Sequence, residues 1–307
     1  MPSTTPFMPR SEMAGSSFFR PPIALLAITL AGIFGCPSPR SVPERPGAPP
    51  LPEAAPVVRS PGRWTIEHRP GAARYEIVSS ATVELADDAM SVDSIATTVV
   101  VSVATRDSAG SLAVNGSIDS LYVRRGIRIM APDSTPPLPI ILHGMLTQEG
   151  RVLALGRPGA VADSACETSG LDPLIMMTRD VFVRLPSRVA SGMSWTDTTR
   201  MTSCRGRIPI TTTTVATYTV LGQQNAEGEG MLALGRSAVL TLEGSGMQFG
   251  RSAAVQGSGS AHGTLLIDPD NAEVVEGRSE STMAITFEAG MLRQTFTQRA
   301  RLEIRRR

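Results

Sequence analysis

From Trp64 onward, apolar and polar residues alternate with a period of two in one segment after another. In 75–85, Tyr75, Ile77, Ser79, Ala81, Val83 and Leu85 share one face, and Glu76, Ser80, Thr82 and Glu84 lie on the other. Val99, Val101 and Val103 repeat the pattern. In the β-branched run 207–222, Ile208, Ile210, Tyr218 and Val220 fall on one side. The last segment is the clearest. Leu292, Phe296, Ala300, Leu302 and Ile304 oppose Arg293, Thr295, Thr297, Arg299, Arg301, Glu303 and Arg305. Successive side chains of a strand point to opposite faces, so this alternation predicts strands with one buried and one wet face. Turn-forming clusters, "RDSAGS", "NAEGEG" and "DPDN", separate them. One segment departs from the pattern. Asp172 is placed as an N-cap, with Pro173 at the first helical position. Leu171, Leu174, Ile175, Thr178, Phe182 and Leu185 then form a stripe at helical spacing, ended by Pro186. The pattern predicts a mainly β protein. It has a large curved antiparallel sheet or half-barrel built from two similar halves, with one short helix (about 172–185) packed on it.

The two halves are read from recurring punctuation. "LHGMLTQEGRVLALGR" and "AHGTLLIDPDNAEVVEGR" each open on a His-Gly pair, at His143–Gly144 and His262–Gly263. They close on Gly156–Arg157 and Gly277–Arg278. Each half also carries a Trp-Thr pair, Trp64–Thr65 and Trp195–Thr196. These marks divide a single β-rich domain, 64–307, into two pseudo-repeats, 64–160 and 190–307. His143 and His262 are then expected at equivalent places on two similar hairpins, too far apart to share a ligand.

The first 63 residues have a different character. Arg10 and Arg20 stand against a single Glu12, and the apolar run Ile23–Leu30 continues to Cys36. A basic start followed by a short apolar run is the form of a secretory signal, and the run is too short to span a bilayer. Residues 1–35 are read as signal peptide; an uncleaved anchor is the competing reading. The segment 36–63 follows as an anchor cysteine and tether. Of the 27 residues in 37–63, nine are proline, so this tether stays extended. "IFGC", 33–36, resembles the lipobox of bacterial lipoprotein signal peptides, although Phe34 and Pro37 depart from its usual residues. The resemblance implies that Cys36 is lipidated and becomes the mature N-terminus. The protein would then be anchored to the cell envelope, on the outer membrane or the periplasmic face. Without lipidation it would be secreted.

Composition narrows the chemistry. The chain has no lysine, and all 29 basic residues are arginine, which excludes a Schiff-base or phosphate-loop lysine. A net charge of +1 offers no basic field for a nucleic-acid backbone. Thirteen aromatics (eight Phe, three Tyr, two Trp) are too few for the girdles of an outer-membrane barrel. Of three cysteines, Cys36 is assigned to lipid, leaving Cys166 and Cys204 to pair in an oxidising compartment. That disulfide would contribute about 3–4 kcal/mol by closing a loop of about 38 residues; two free thiols are the alternative.

No Gly-x-Ser-x-Gly, His-Glu-x-x-His, Cys-x-x-Cys or calcium-loop pattern occurs. "GSGSAHG", 257–263, reads as a strand of small residues against a close neighbour rather than a Ser-His site. "DPDN", Asp268–Asn271, reads as a hairpin turn. No catalytic residue, metal ligand or cofactor is assigned. A curved sheet with a helix across its open side is similar to lipoprotein-carrier and lipid-binding envelope proteins. "FVRLPSRVASGMSWTDT", 182–198, resembles a Leu-Pro…Gly-x-x-Trp pattern of bacterial secreted and lipoprotein domains. The resemblances imply a non-enzymatic envelope lipoprotein, with the membrane as one partner. An apolar ligand or an envelope protein would be the other. A structural or assembly component without ligand is the alternative, and a hydrolase with an unrecognised site the lesser one. Metabolic labelling with a fatty-acid probe should mark the wild-type chain and vanish in Cys36→Ala; label retained in the variant rejects the anchor.

Overall fold

The computed structural model describes residues 62–85, 88–126, 128–130, 137–158, 172–205, 208–226, 229–248 and 250–307. The residues read as signal peptide, Cys36, the residues read as tether up to 61, and Cys166 lie outside them. The first half gives β1 (Arg63–Thr65), β2 (Ala72–Leu85), β3 (Asp88–Ser108), β4 (Ser111–Arg125), β5 (Arg128–Met130), β6 (Ile140–Thr147) and β7 (Val152–Gly156). Helix α1 (Asp172–Arg179) and β8 (Arg188–Ala190) follow. The second half gives β9 (Ser194–Arg205), β10 (Ile208–Ala226), β11 (Glu229–Gln248), β12 (Arg251–Asp268), β13 (Glu273–Ala289) and β14 (Leu292–Arg306).

Twelve strands form one antiparallel sheet, in the order β7-β6-β4-β3-β2-β14-β13-β12-β11-β10-β9, with β5 beside β4. It is a curled half-barrel made of two meanders, β2–β7 and β9–β14. The meanders join where β2 pairs with β14, Ile77 opposite Ile304 and Ala81 opposite Ala300. The period-two faces are realised as read. Tyr75, Ile77, Ala81 and Val83, then Val99, Val101 and Val103, and also Phe296 and Ile304, are buried on the concave face. Arg299, Glu280 and Glu84 lie on the convex face and form ion pairs there.

Curling follows from two local devices. Register shifts at Val100/Val101, Val220/Gly222, Leu266/Ile267 and Met145/Leu146 add extra residues to single strands, which bends and twists them. On β12, the concave positions are Gly257, Gly259, Ala261 and Gly263, in register with Ile285, Met283, Ser281 and Ser279 of β13. A Cβ on Gly259 would run into the Thr282 carbonyl, and one on Gly263 into the Arg278 carbonyl. The alternating small residues therefore permit the close approach of β12 to β13.

The open side is crossed by a strap, residues 172–187. Its helical part is shorter than the sequence stripe indicates. α1 ends at Arg179, followed by backbone bonds of i→i+3 type from Asp180, Val181 and Phe182. Beyond it Val181, Val183 and Leu185 are all buried while Phe182 and Arg184 are not, a period of two. Two β-branched valines in extended spacing prevail over the weaker helical phase of Phe182 and Leu185. Leu174, Met177, Val181, Val183 and Leu185 pack onto the concave-face residues Val99, Val101, Leu142, Leu232 and Ile304. Each contributes about 1.5–3 kcal/mol by burial.

The strap is tied to both edges of the sheet. The Leu185 N–H donates to the Glu149 carbonyl in the β6–β7 turn (2.9 Å). The Trp195 indole N–H, on edge strand β9, donates to the Arg184 carbonyl (2.9 Å). The Arg184 guanidinium lies 2.9 Å from Glu149 and 4.0 Å from Asp197, bridging the two edges. β1 pairs with β8 and holds the chain's entry beside the strap, with Trp64 opposite Val189. Gly263→Val should lower stability by about 2–3 kcal/mol, because its side chain must displace the β13 backbone. Ser260→Val, on the exposed convex face, should change it by less than about 0.5 kcal/mol. Urea unfolding of the two variants checks this; equal losses would contradict the close-approach account.

Candidate functional site

The concave face carries two packed apolar clusters with a gap between them. The strap covers the first. The second comprises Val83, Ile208, Ile210, Leu242, Val255, Ile285 and Phe296 near the opposite strand ends. Between them the inward-facing Thr212, Thr214, Leu240, Ser281, Met283 and Ala300 are only half-buried. The floor of this gap is β12, whose inward positions 257–263 bear nothing larger than a methyl group. Between the clusters the concave face is thus lined by small β12 residues, with Leu240 packing toward the first cluster and Met283 toward the second.

A group of charged and aromatic residues stands at the strap end of this gap. Arg236 occupies a concave-face position on β11, between Leu234 and Ala238. It pairs in register with Tyr218 of β10 on one side and Gly263 of β12 on the other. Tyr218 is buried and hydrogen-bonds to Arg236, and its ring stacks on Trp195 with centroids 5.5 Å apart. Burial pushes the Tyr218 hydroxyl above its ordinary range.

Asp180, just past α1, faces the same place. It lies deep within the fold, and this desolvation raises its carboxyl pKa against the opposing pull of Arg236 and Arg179. Its side chain is nevertheless exposed. The direction of the shift stands, while its energy is muted by solvent. Burial lowers the Arg179 pKa, opposed by Asp180 and Asp197. A cavity of about 40 Å³ opens among Asp180, Tyr218, Arg236, Leu265, Ser279 and Ile304.

The residues singled out in sequence lie elsewhere. His143 is exposed on the convex side of β6, and His262 on that of β12. β6 and β12 are six strand spacings apart in the sheet, on the order of 29 Å. The two histidines therefore do not meet. His262 lies instead 3.8 Å from Glu280. Their hairpins differ in register: His143 pairs with Gly156, whereas His262 pairs with Glu280 and Gly277 with Leu265. The Trp-Thr pairs also part company. Trp64 lies in the small β1–β8 ladder and Trp195 in the main sheet. "DPDN" is a turn in which Asp268 accepts from the Asp270 N–H (3.0 Å) and the Asn271 amide (3.1 Å). Cys204 is half-buried on β9.

Arg236 was open to detection. It is in phase with Leu232, Leu234, Ala238, Leu240 and Leu242, an arginine inside an apolar alternation. Asp180 carries no such signal, because its position depends on where the helix stops. Comparison with protein-family models and with curated proteins found no match to the chain.

The third histidine, His68, sits beneath the strap. Its ring occupies the side-chain space that Gly150 of the β6–β7 turn leaves open. It hydrogen-bonds to backbone of Val183 in the strap and Gln148 in the turn. Burial lowers its pKa, and those backbone bonds and nearby Glu149 offset this only in part. The unfolded chain therefore takes up this proton at higher pH than the fold does. His68's contribution to stability is complete above about pH 6.5 and declines as the pH falls through and below that value. Wild type should lose more stability than His68→Gln between about pH 7.5 and pH 5. Parallel losses in chemical denaturation would assign the acid sensitivity to other groups.

Proposed function

We propose that the protein is a non-enzymatic lipoprotein of the cell envelope that binds an apolar ligand along the concave face of its half-barrel. The observation carrying this reading is the gap between the two apolar clusters. A sheet evolved only for stability would fill such a gap with side chains, because unfilled apolar surface forfeits dispersion contacts and burial. Here the gap has a bare floor at 257–263 and half-exposed walls that include Leu240 and Met283. Clefts that take apolar ligands have this form, with few polar groups placed at one end.

The assembly reading would use an exposed sheet edge. The long edge strand β9 points the charged Asp197 inward and Arg200 outward, and charges on an edge discourage strand addition. Ligand binding is therefore the preferred reading. The anchor at Cys36 and the tether 37–63 would place the domain within reach of a membrane that supplies or receives the ligand, and a Cys166–Cys204 bond would secure β9 in an oxidising compartment.

Native mass spectrometry of the chain purified from envelopes should show a bound acyl species. Ser281→Trp, which fills the groove from β13, should reduce uptake of a fluorescent apolar probe about tenfold or more without shifting the melting temperature downward by more than a few degrees. Probe uptake unaffected by the filled groove, together with a ligand-free native protein, would overturn the reading.

A further inference from the structure

A guanidinium on the inward face of a sheet is costly unless something completes its hydrogen bonds. Arg236 is such a group. Its one described hydrogen-bond partner is the Tyr218 hydroxyl. No described carboxylate closes to ion-pair distance of it, Asp180 included. Asp180 makes no side-chain hydrogen bond among the described residues. Two opposed, unpaired charges therefore line one small cavity, at the head of a groove that their own fold leaves open.

The geometry points to a binding site for the carboxylate of a single-chain fatty acid. Arg236 and Tyr218 hold the acid group, Asp180 faces it, and the hydrocarbon chain lies along the β12 floor. This assignment rests on the groove reading above and adds the chemistry of its end.

Size selects the head group. A cavity of about 40 Å³ accommodates about three water-sized centres. That matches the three heavy atoms of a carboxylate, whereas a phosphate ester needs more. Charge selects its sign. Arg236 and Arg278 oppose Asp180 in this lining, and Arg278 is already paired with Glu276. A proton on Asp180, the form that desolvation favours, leaves Arg236 as the uncompensated positive charge. It also turns Asp180 into a donor for the second carboxylate oxygen. Length then selects the tail. From Gly263, beside Arg236, to Gly257 is six residues of strand, about 20 Å. The groove ends against Leu242, Val255 and Ile285.

The test is titration calorimetry of the purified chain with palmitate and with its methyl ester, which keeps the tail and removes the charge. Palmitate should bind about tenfold or more tightly than the ester, the size expected of charge-assisted hydrogen bonds. Arg236→Met should erase that preference. Tyr218→Phe should reduce it severalfold, and stands in if Arg236→Met fails to fold by circular dichroism. Palmitate affinity should fall as the pH rises, and Asp180→Asn should flatten that dependence. Equal affinity for both ligands, unchanged in the Arg236 and Tyr218 variants, would overturn the carboxylate site while the groove stands. Failure of both ligands to bind would overturn the groove and the head site together.

Discussion

The strap across the open side is the constraint on which the rest depends. An open antiparallel sheet with one apolar face cannot exclude water from that face by itself. Here the cover is a short piece of chain, one helix and a few extended residues, held at both ends. Arg184 is its pivot, because one guanidinium reaches Glu149 near one edge and Asp197 on the other. The Arg184–Glu149 pair is partly exposed, and such pairs contribute little energy on their own. Their value is geometric: they keep Val181, Val183 and Leu185 over the inward valines and leucines, where burial supplies the stabilisation.

Much of the sheet was legible in the sequence, because period two is a property of strand geometry that needs no tertiary knowledge. Tyr75 to Val83, Val99 to Val103 and Phe296 to Ile304 point where their phase places them. The helix was legible in kind and misjudged in length. Phe182 and Leu185 sit at helical spacing from Thr178, while Val181 and Val183 sit at strand spacing from Leu185. Only the sheet beneath decides between the two phases. The histidines misled as marks of equivalence, because a two-residue match carries no register. His143 faces Gly156 and His262 faces Glu280. Arg236 shows the reverse: the signal was present, an inward arginine among leucines, and it acquires meaning only when Tyr218, Gly263 and Asp180 are brought around it.

Curvature and vacancy have a common origin. The glycines of β12 allow β13 to come close on the concave side. The same absence of side chains leaves the floor bare. A feature required by backbone geometry thus creates a space that the surrounding Leu240, Met283 and Ala300 only partly line.

The pairing of β2 with β14 places the first and the last strand of the sheet side by side at its centre. Each meander can zip up locally, hairpin by hairpin. The seam between them joins residues more than two hundred positions apart, for example Ile77 and Ile304. Loop-closure entropy makes such pairing the slow step of folding. Until it forms, β2 and β14 are two bare edges rich in β-branched and apolar residues, the kind of surface that pairs wrongly. A chain built this way completes its fold only after its last strand has arrived.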